Sequence, residues 1–130
     1  MIWSYRGKHP CLEILLRTPF GKEHHAIALL DTGFSGDIIV PNTIYDESLE
    51  LNKWEKGLPK DGTLADGSKR NLVVSEAIIF IPRISIINGY NVSVYKIDKE
   101  GGVKEIIIGV SFINKFKFLL DGPAKETRIV

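Results

Sequence analysis

Two apolar segments, each followed by a glycine within three residues, constrain the fold of this chain more than any other feature. Residues 29–33 read Leu-Leu-Asp-Thr-Gly, so a carboxylic acid and a hydroxyl directly follow apolar residues. Residues 106–109 read Ile-Ile-Ile-Gly and lead into a helix-like stretch at 110–115. Short apolar runs bounded by turn residues are typical of buried strands. The chain is therefore expected to carry an acid at the end of a buried strand.

The rest of the pattern predicts one all-β domain over residues 1–130. Strands are expected at 11–17, 24–30, 37–40, 84–87, 90–97, 104–108, 116–120 and 127–130. Hairpin tips are expected at 65–68 and 88–89, where Asp-Gly and Asn-Gly supply the positive φ of tight turns. A third hairpin turn is expected at 100–102, between the strands at 92–97 and 104–108. Short helices are expected within 42–51 and 110–115, and a charged loop over 53–61.

Composition narrows the classes of function. The net charge of +1 and the scattered Lys and Arg residues give no basic footprint for nucleic acid or an anionic membrane. No apolar stretch approaches the 18 or so residues of a membrane span. Cys11 is the single cysteine and the first residues contain no apolar signal core, so a cytoplasmic location is expected. His24 and His25 would point to opposite faces of a strand, so no metal site is expected.

Alone, Asp-Thr-Gly is a weak signal, because Asp and Gly are common turn residues. The order of elements makes it more specific: a hairpin, the Asp-Thr-Gly loop, a second hairpin, the apolar-apolar-Gly segment, a short helix and a final strand. This order resembles the retropepsin-like aspartic proteases over about residues 11–130. Phe34 after the glycine, and the closing segment 109–121, are similar to single-domain prokaryotic members that carry Asp-Thr-Gly-Phe.

The resemblance implies a closed acid-protease barrel with one short C-terminal helix. It also implies an aspartic endopeptidase without metal or cofactor. Two carboxylates that share one proton are needed, and this chain supplies one Asp-Thr-Gly. The implied enzyme is a homodimer acting on peptide or unfolded protein, with catalytic residues Asp31, Thr32 and Gly33. Thr32 would hydrogen-bond the partner's loop, and Gly33 would allow the two loops to approach closely.

Further residues are expected near the substrate. Phe34, Ser35 and Gly36 continue the Asp loop, although Ser35 could equally cap the turn. Gly109 would lie against that loop, where a side chain would clash, the alternative being a glycine that only starts a helix or forms a turn. Ala65, Asp66 and Gly67 are the best candidates for a flap tip, the alternative being an ordinary surface hairpin. Phe34 has no hydroxyl to donate to a catalytic carboxylate, which predicts activity nearer to neutral pH than that of pepsin.

Two other interpretations fit the same residues. The chain could be a dimeric peptide- or protein-binding module on the same fold with little or no proteolysis, because a shared fold does not guarantee shared chemistry. It could also be an unrelated small β-barrel whose Asp-Thr-Gly is only a turn. That third interpretation predicts a monomer with no pair of carboxylates.

Overall fold

The computed structural model describes residues 2–54, 58–63, 69–98 and 102–130. Strands hold 46% of the chain, and helices are few and short. The strands are β1 (Ile2–Ser4), β2 (Cys11–Arg17), β3 (Glu23–Leu30), β4 (Ile38–Ile39), β5 (Leu58–Thr63), β6 (Lys69–Phe80), β7 (Tyr90–Ile97), β8 (Ile107–Ile108), β9 (Phe118–Asp121) and β10 (Glu126–Ile129). A π-helical turn (Ile44–Ser48) and helices α1 (Leu51–Trp54) and α2 (Val110–Ile113) complete the elements. The all-β prediction and the short helix near the C-terminus are confirmed.

Six strands close into a barrel. Their order around the barrel is β2-β3-β8-β4-β7-β6, and β6 returns to β2 through antiparallel pairing that sets Leu15 opposite Phe80. Strand β5 extends the sheet beyond this ring by pairing with β6. Closure leaves the six strands of the ring with a hydrogen-bonded neighbour on both sides, which removes the exposed edges that an open sheet would have.

Strand β8 lies between two strands that come from much earlier in the chain. It runs parallel to β3, with Leu30 beside Ile108, and antiparallel to β4, with Ile38 beside Ile108. The two apolar-to-glycine segments of the sequence are therefore neighbours in the same sheet. Both strands end at the same edge of that sheet, because they run in the same direction.

The barrel interior follows from the alternation of side chains along each strand. On β2, Leu12, Ile14 and Leu16 are fully buried, while the residues between them face outward and are partly exposed. Burial of one such side chain stabilises the fold by about 1.5–3 kcal/mol. Tyr45 also lies inside, where its hydroxyl and that of Ser75 form a hydrogen bond. This bond satisfies polar groups that would otherwise be costly to bury.

A smaller second core lies apart from the barrel interior. It contains the buried side chains of Phe34, Ile39, Leu72, Tyr95 and Ile97. Phe34 belongs to the segment that follows Asp31, so this core fixes the chain just beyond the acid. The position of the acid is thus tied to packing on β4, β6 and β7.

The chain ends form a separate three-stranded sheet in the order β1-β10-β9. Ile2 pairs with Arg128, and Arg128 pairs in turn with Leu119. An aromatic cluster lies where this sheet meets α2: the Phe116 ring is 5.2 Å from the Phe112 ring and 5.7 Å from the Phe118 ring, measured between centroids. The cluster joins the helix to β9, an edge strand of the end sheet.

The prediction of a strand at 84–87 is wrong. These residues form turns, in which the Ser85 hydroxyl accepts hydrogen bonds from the amides of Ile87 and Asn88. Gly89 then packs so closely on β6 that an added Cβ would lie 2.9 Å from the Phe80 ring. The apolar run looks like a strand, but the chain folds back over β6 before it can pair.

Three other expectations need correction. The segment expected to be a loop over 53–61 includes strand β5, which forms because it pairs with β6. Residues 104–108 do not pair with 92–97, because β4 lies between β7 and β8. The helix expected within 42–51 is a π-helical turn, and it is separated from α1 by Glu50, whose φ of 51° interrupts helical geometry.

In the part of the chain that the structure describes, we find no helix with the length and apolarity needed to cross a bilayer.

Candidate active site

Asp31 is the first residue after β3, and it begins a loop that we call the Asp loop (residues 31–37). Its amide donates a hydrogen bond to the Ile108 carbonyl at 2.9 Å, which continues the β3–β8 pairing by one residue. Its Oδ1 atom accepts a hydrogen bond of 2.8 Å from the Gly33 amide. A carboxylate bonded to an amide two residues on is a common Asp-led turn. The acid is therefore fixed at both its backbone and its side chain.

The residues after β8 hold the Asp loop from the other side. The Gly109 amide donates to the Asp37 carbonyl and the Val110 amide to the Phe34 carbonyl, each at 2.8 Å. A Cβ at Gly109 would collide with the Gly36 carbonyl oxygen and would lie 2.6 Å from the Phe34 ring and carbonyl oxygen. Backbone atoms cannot move aside as a flexible side chain can. Position 109 thus has room for glycine alone, as the clash argument from the sequence expected.

Phe34 does not lie where the sequence placed it. We expected it among the substrate-contacting residues, but its ring is only 3% exposed and packs edge-on against Tyr95, with the ring centroids 5.5 Å apart. Its side chain anchors the Asp loop in the second core, because an aromatic ring gains more from burial than from facing solvent.

The Phe34 ring also limits the space at Gly36. A Cβ there would lie 2.6 Å from the Phe34 ring and 2.8 Å from the Tyr95 ring. A packing constraint therefore explains this glycine within the chain, whatever contact its backbone makes with a ligand. Gly36 is half-buried, and a contact between its backbone and a substrate stays a prediction.

Thr32, Gly33 and Ser35 form the exposed side of the Asp loop. The structure thus brings together Asp31, Thr32, Gly33, Ser35 and Gly109 at one end of the sheet. A hydroxyl, a glycine and a carboxylate accessible on one loop can meet a ligand or a second protein surface. The sequence-based roles of Thr32 and Gly33 at a two-fold axis stay predictions.

Two residues of this region were missed by the sequence analysis. Asp37 uses its Oδ2 atom to accept a 2.9 Å hydrogen bond from the Ser93 amide on β7. Ser111 donates its hydroxyl to the Ser35 carbonyl at 2.6 Å. Asp37 comes four residues after Gly33 and Ser111 two residues after Gly109, and this proximity to the motifs was the only signal in the sequence.

The expected flap tip, Ala65, Asp66 and Gly67, lies outside the described residues. The strands on either side are described: β5 and β6 are antiparallel, and Thr63 pairs with Lys69.

Metal ligation has no support among the residues described, where no group of three or more His, Cys, Asp or Glu side chains is placed to hold an ion. His25 lies on the outer face of β3, with its Nε2 atom 3.1 Å from Glu13 Oε2.

Comparisons with known proteins add one relationship. An uncharacterized protein of Archaeoglobus fulgidus is 27% identical over 122 aligned residues, which cover 86% of each chain. No family model and no solved structure matches the chain. The archaeal protein is of similar extent, and its description names no activity.

Proposed function

We propose that this protein is an aspartic endopeptidase of retropepsin-like fold, active as a homodimer. One observation carries the proposal: β8 lies between β3 and β4, so that the Asp loop is bonded to Ile108 and closed over Gly109. This is the arrangement that the resemblance of the two sequence motifs implies. The exposed Thr32 and Gly33 beside Asp31 support it further.

The homodimer follows from the number of acids at the site. Asp31 and Asp37 are the acids of the Asp loop, and Asp37 is bonded to the Ser93 amide on β7. A catalytic pair needs two carboxylates close enough to share one proton. We therefore assign the second carboxylate to Asp31 of the partner subunit, across an isologous two-fold axis.

The proposed chemistry uses a water molecule between the two acids. The ionised Asp31 takes a proton from the water, whose oxygen attacks the peptide carbonyl carbon, while the other Asp31 donates its proton to the carbonyl oxygen. The tetrahedral diol then returns a hydroxyl proton to the Asp31 that was left ionised, while the other Asp31 passes the proton taken from water to the nitrogen as the C–N bond breaks, which restores the pair. Neither a metal nor a covalent intermediate takes part in this scheme.

The proposed substrate is an extended peptide. Such a peptide would lie as a strand between the Asp loops and the β5–β6 hairpins, with backbone hydrogen bonds giving affinity and side-chain pockets giving specificity. The hairpins would then exclude water from the reacting bond.

The test is cleavage of an unstructured protein by wild type and by Asp31→Asn across pH 3 to 8. Asp31→Asn should reduce cleavage at least about 1,000-fold and leave the solution mass of the dimer unchanged, because the change removes the proton-transfer group of each subunit and little volume. Asp98→Asn is the matched control, since Asp98 is exposed at the end of β7 and outside the Asp loop.

The outcomes separate the alternatives. Equal cleavage by wild type and Asp31→Asn would exclude Asp31 as the catalytic acid. A dimer that binds peptide without cleaving it at any pH would favour the binding module. A monomer at all concentrations would leave the Asp-Thr-Gly as a structural turn.

A further inference from the structure

Ser111 connects the helix after β8 to the exposed side of the Asp loop. It is the second residue of α2, and its Oγ atom donates a 2.6 Å hydrogen bond to the Ser35 carbonyl. The Ser111 side chain is itself exposed, so it contributes little apolar burial to the fold. This bond is therefore the main interaction by which its side chain acts.

The bond from Ser111 complements two backbone bonds. The Val110 amide holds the Phe34 carbonyl, and the Gly109 amide holds the Asp37 carbonyl. Ser35 lies between these two anchored residues. The backbone bonds are present whatever the side chains are, whereas the bond to Ser35 depends on a hydroxyl at position 111.

The Ser35 carbonyl is close in the chain to the atoms that orient Asp31. The Phe34 amide bonds the Asp31 carbonyl at 3.3 Å, and the Gly33 amide bonds Asp31 Oδ1. A rotation of the peptide after Ser35 would pull on Phe34 and Gly33 and so on the carboxylate. The buried Phe34 ring holds the chain on one side of that peptide, while Thr32 and Gly33 are exposed and add little packing nearer to the acid.

We infer that Ser111 is a positioning residue that fixes the orientation of the Asp31 carboxylate through the Ser35 carbonyl. The inference rests on the proposed function, in which two Asp31 carboxylates must meet at a set distance. Small displacements of a catalytic group cost much activity: a misplacement of 1 Å can cost about 100-fold. A hydroxyl that is exposed, and so nearly neutral for folding, would then matter for turnover.

The experiment compares Ser111→Ala, Ser111→Thr and Ser85→Ala with wild type. Ser111→Ala should lower kcat about 10-fold and leave KM within about twofold, because the loss affects the acid and not the peptide-binding strands. Ser111→Thr keeps the hydroxyl and should recover kcat to within about threefold. Ser85→Ala is the matched control: its hydroxyl also bonds backbone, but in the turn at 81–89.

A second measurement does not depend on activity. Amide hydrogen exchange at Gly33 and Val110 reports whether the Asp loop stays docked, since each amide donates a hydrogen bond within or onto that loop. Ser111→Ala should accelerate exchange at both amides about 10-fold, and Ser111→Thr and Ser85→Ala should not.

The two measurements separate this inference from the proposed function. Where wild type cleaves and Ser111→Ala matches it in kcat and in exchange, the inference is overturned and the endopeptidase stands. If wild type does not cleave, the proposed function fails, and amide hydrogen exchange at Gly33 and Val110 alone tests the role of Ser111. Unchanged exchange then rejects the role of Ser111, and faster exchange supports it as the residue that positions the loop.

Discussion

The Asp31 amide donates a hydrogen bond to the Ile108 carbonyl, so the acid of the first motif is bonded to the strand that carries the second. This bond extends the parallel pairing of β3 and β8 to the point where both strands end. The loop after Asp31 then folds over Gly109.

Gly109→Ala should destabilise the protein by at least about 2 kcal/mol, because the new Cβ would collide with backbone atoms of the Asp loop. Gly122→Ala is the matched control, since nothing lies within 4 Å of an added Cβ there, and it should stay within about 0.5 kcal/mol of wild type. Urea denaturation measures both. A Gly109→Ala protein as stable as wild type would show that the loop can move aside.

Phe34→Ala should destabilise the protein by about 3–5 kcal/mol, because it empties the centre of the second core and removes the contact with Tyr95. Phe34→Leu should cost about 1 kcal/mol, since it keeps most of the volume. Leu119→Ala, on the half-exposed face of β9, should cost less than about 1 kcal/mol. Thermal unfolding monitored by circular dichroism distinguishes these cases. A small effect of Phe34→Ala would place the ring outside a packed core.

Thr32→Ala should weaken the proposed dimer about 10-fold in Kd, because an exposed hydroxyl beside Asp31 would lose its bond to the partner's loop. Thr32→Ser keeps the hydroxyl and should dimerise like wild type. Sedimentation velocity over a concentration series gives both dissociation constants. Equal constants for wild type and Thr32→Ala would remove Thr32 from the interface.

Stability should fall as the solution becomes acidic, in part because of His24. Burial on β3, and secondarily the neighbouring charge of His25, lower the pKa of His24 in the folded protein. The unfolded chain then binds a proton more readily than the folded one, so the stability present above the unfolded pKa of about 6.5 is lost as pH falls through the lower folded pKa. His24→Gln should flatten this part of the curve of unfolding free energy against pH. An NMR titration that gave His24 a pKa above that of the unfolded chain would reverse the sign.

Cleavage should be fastest nearer to neutral pH than in pepsin. The side chain after the Asp-Thr-Gly is a buried phenyl ring, which would supply no hydroxyl donor to the proposed pair of carboxylates. A pH–rate profile of the wild-type protein measures the optimum. An optimum below about pH 4, in the range of pepsin, would contradict the argument.

The sequence was most informative where local pattern and fold agree. Strand β2 runs over Cys11–Arg17 as expected, because its alternating side chains need only one buried face. The approach of Gly109 to the Asp loop was also foreseen, from two motifs and not from periodicity. The burial of Phe34 in the second core was not foreseen, because the sequence does not show whether an apolar ring packs in a core or faces a substrate.

The failures involve pairing between distant segments. The position of β4 between β7 and β8 depends on residues more than 50 positions apart, and nothing within 38–39 indicates those partners. The run at 84–87 has the residues of a strand but meets no free edge, because β2 and β7 already flank the end of β6. The strand propensity of a segment gives no information on whether the neighbouring strand edges are already paired.

The sheet of chain ends has a consequence for engineering. Because Ile2 lies opposite Arg128 on antiparallel strands, the two termini are adjacent on one side of the molecule. A short linker would join them without crossing the barrel, and new ends could be opened in the turns at 81–89. A circular permutant made in this way should fold, with its start and finish moved to the turns between β6 and β7.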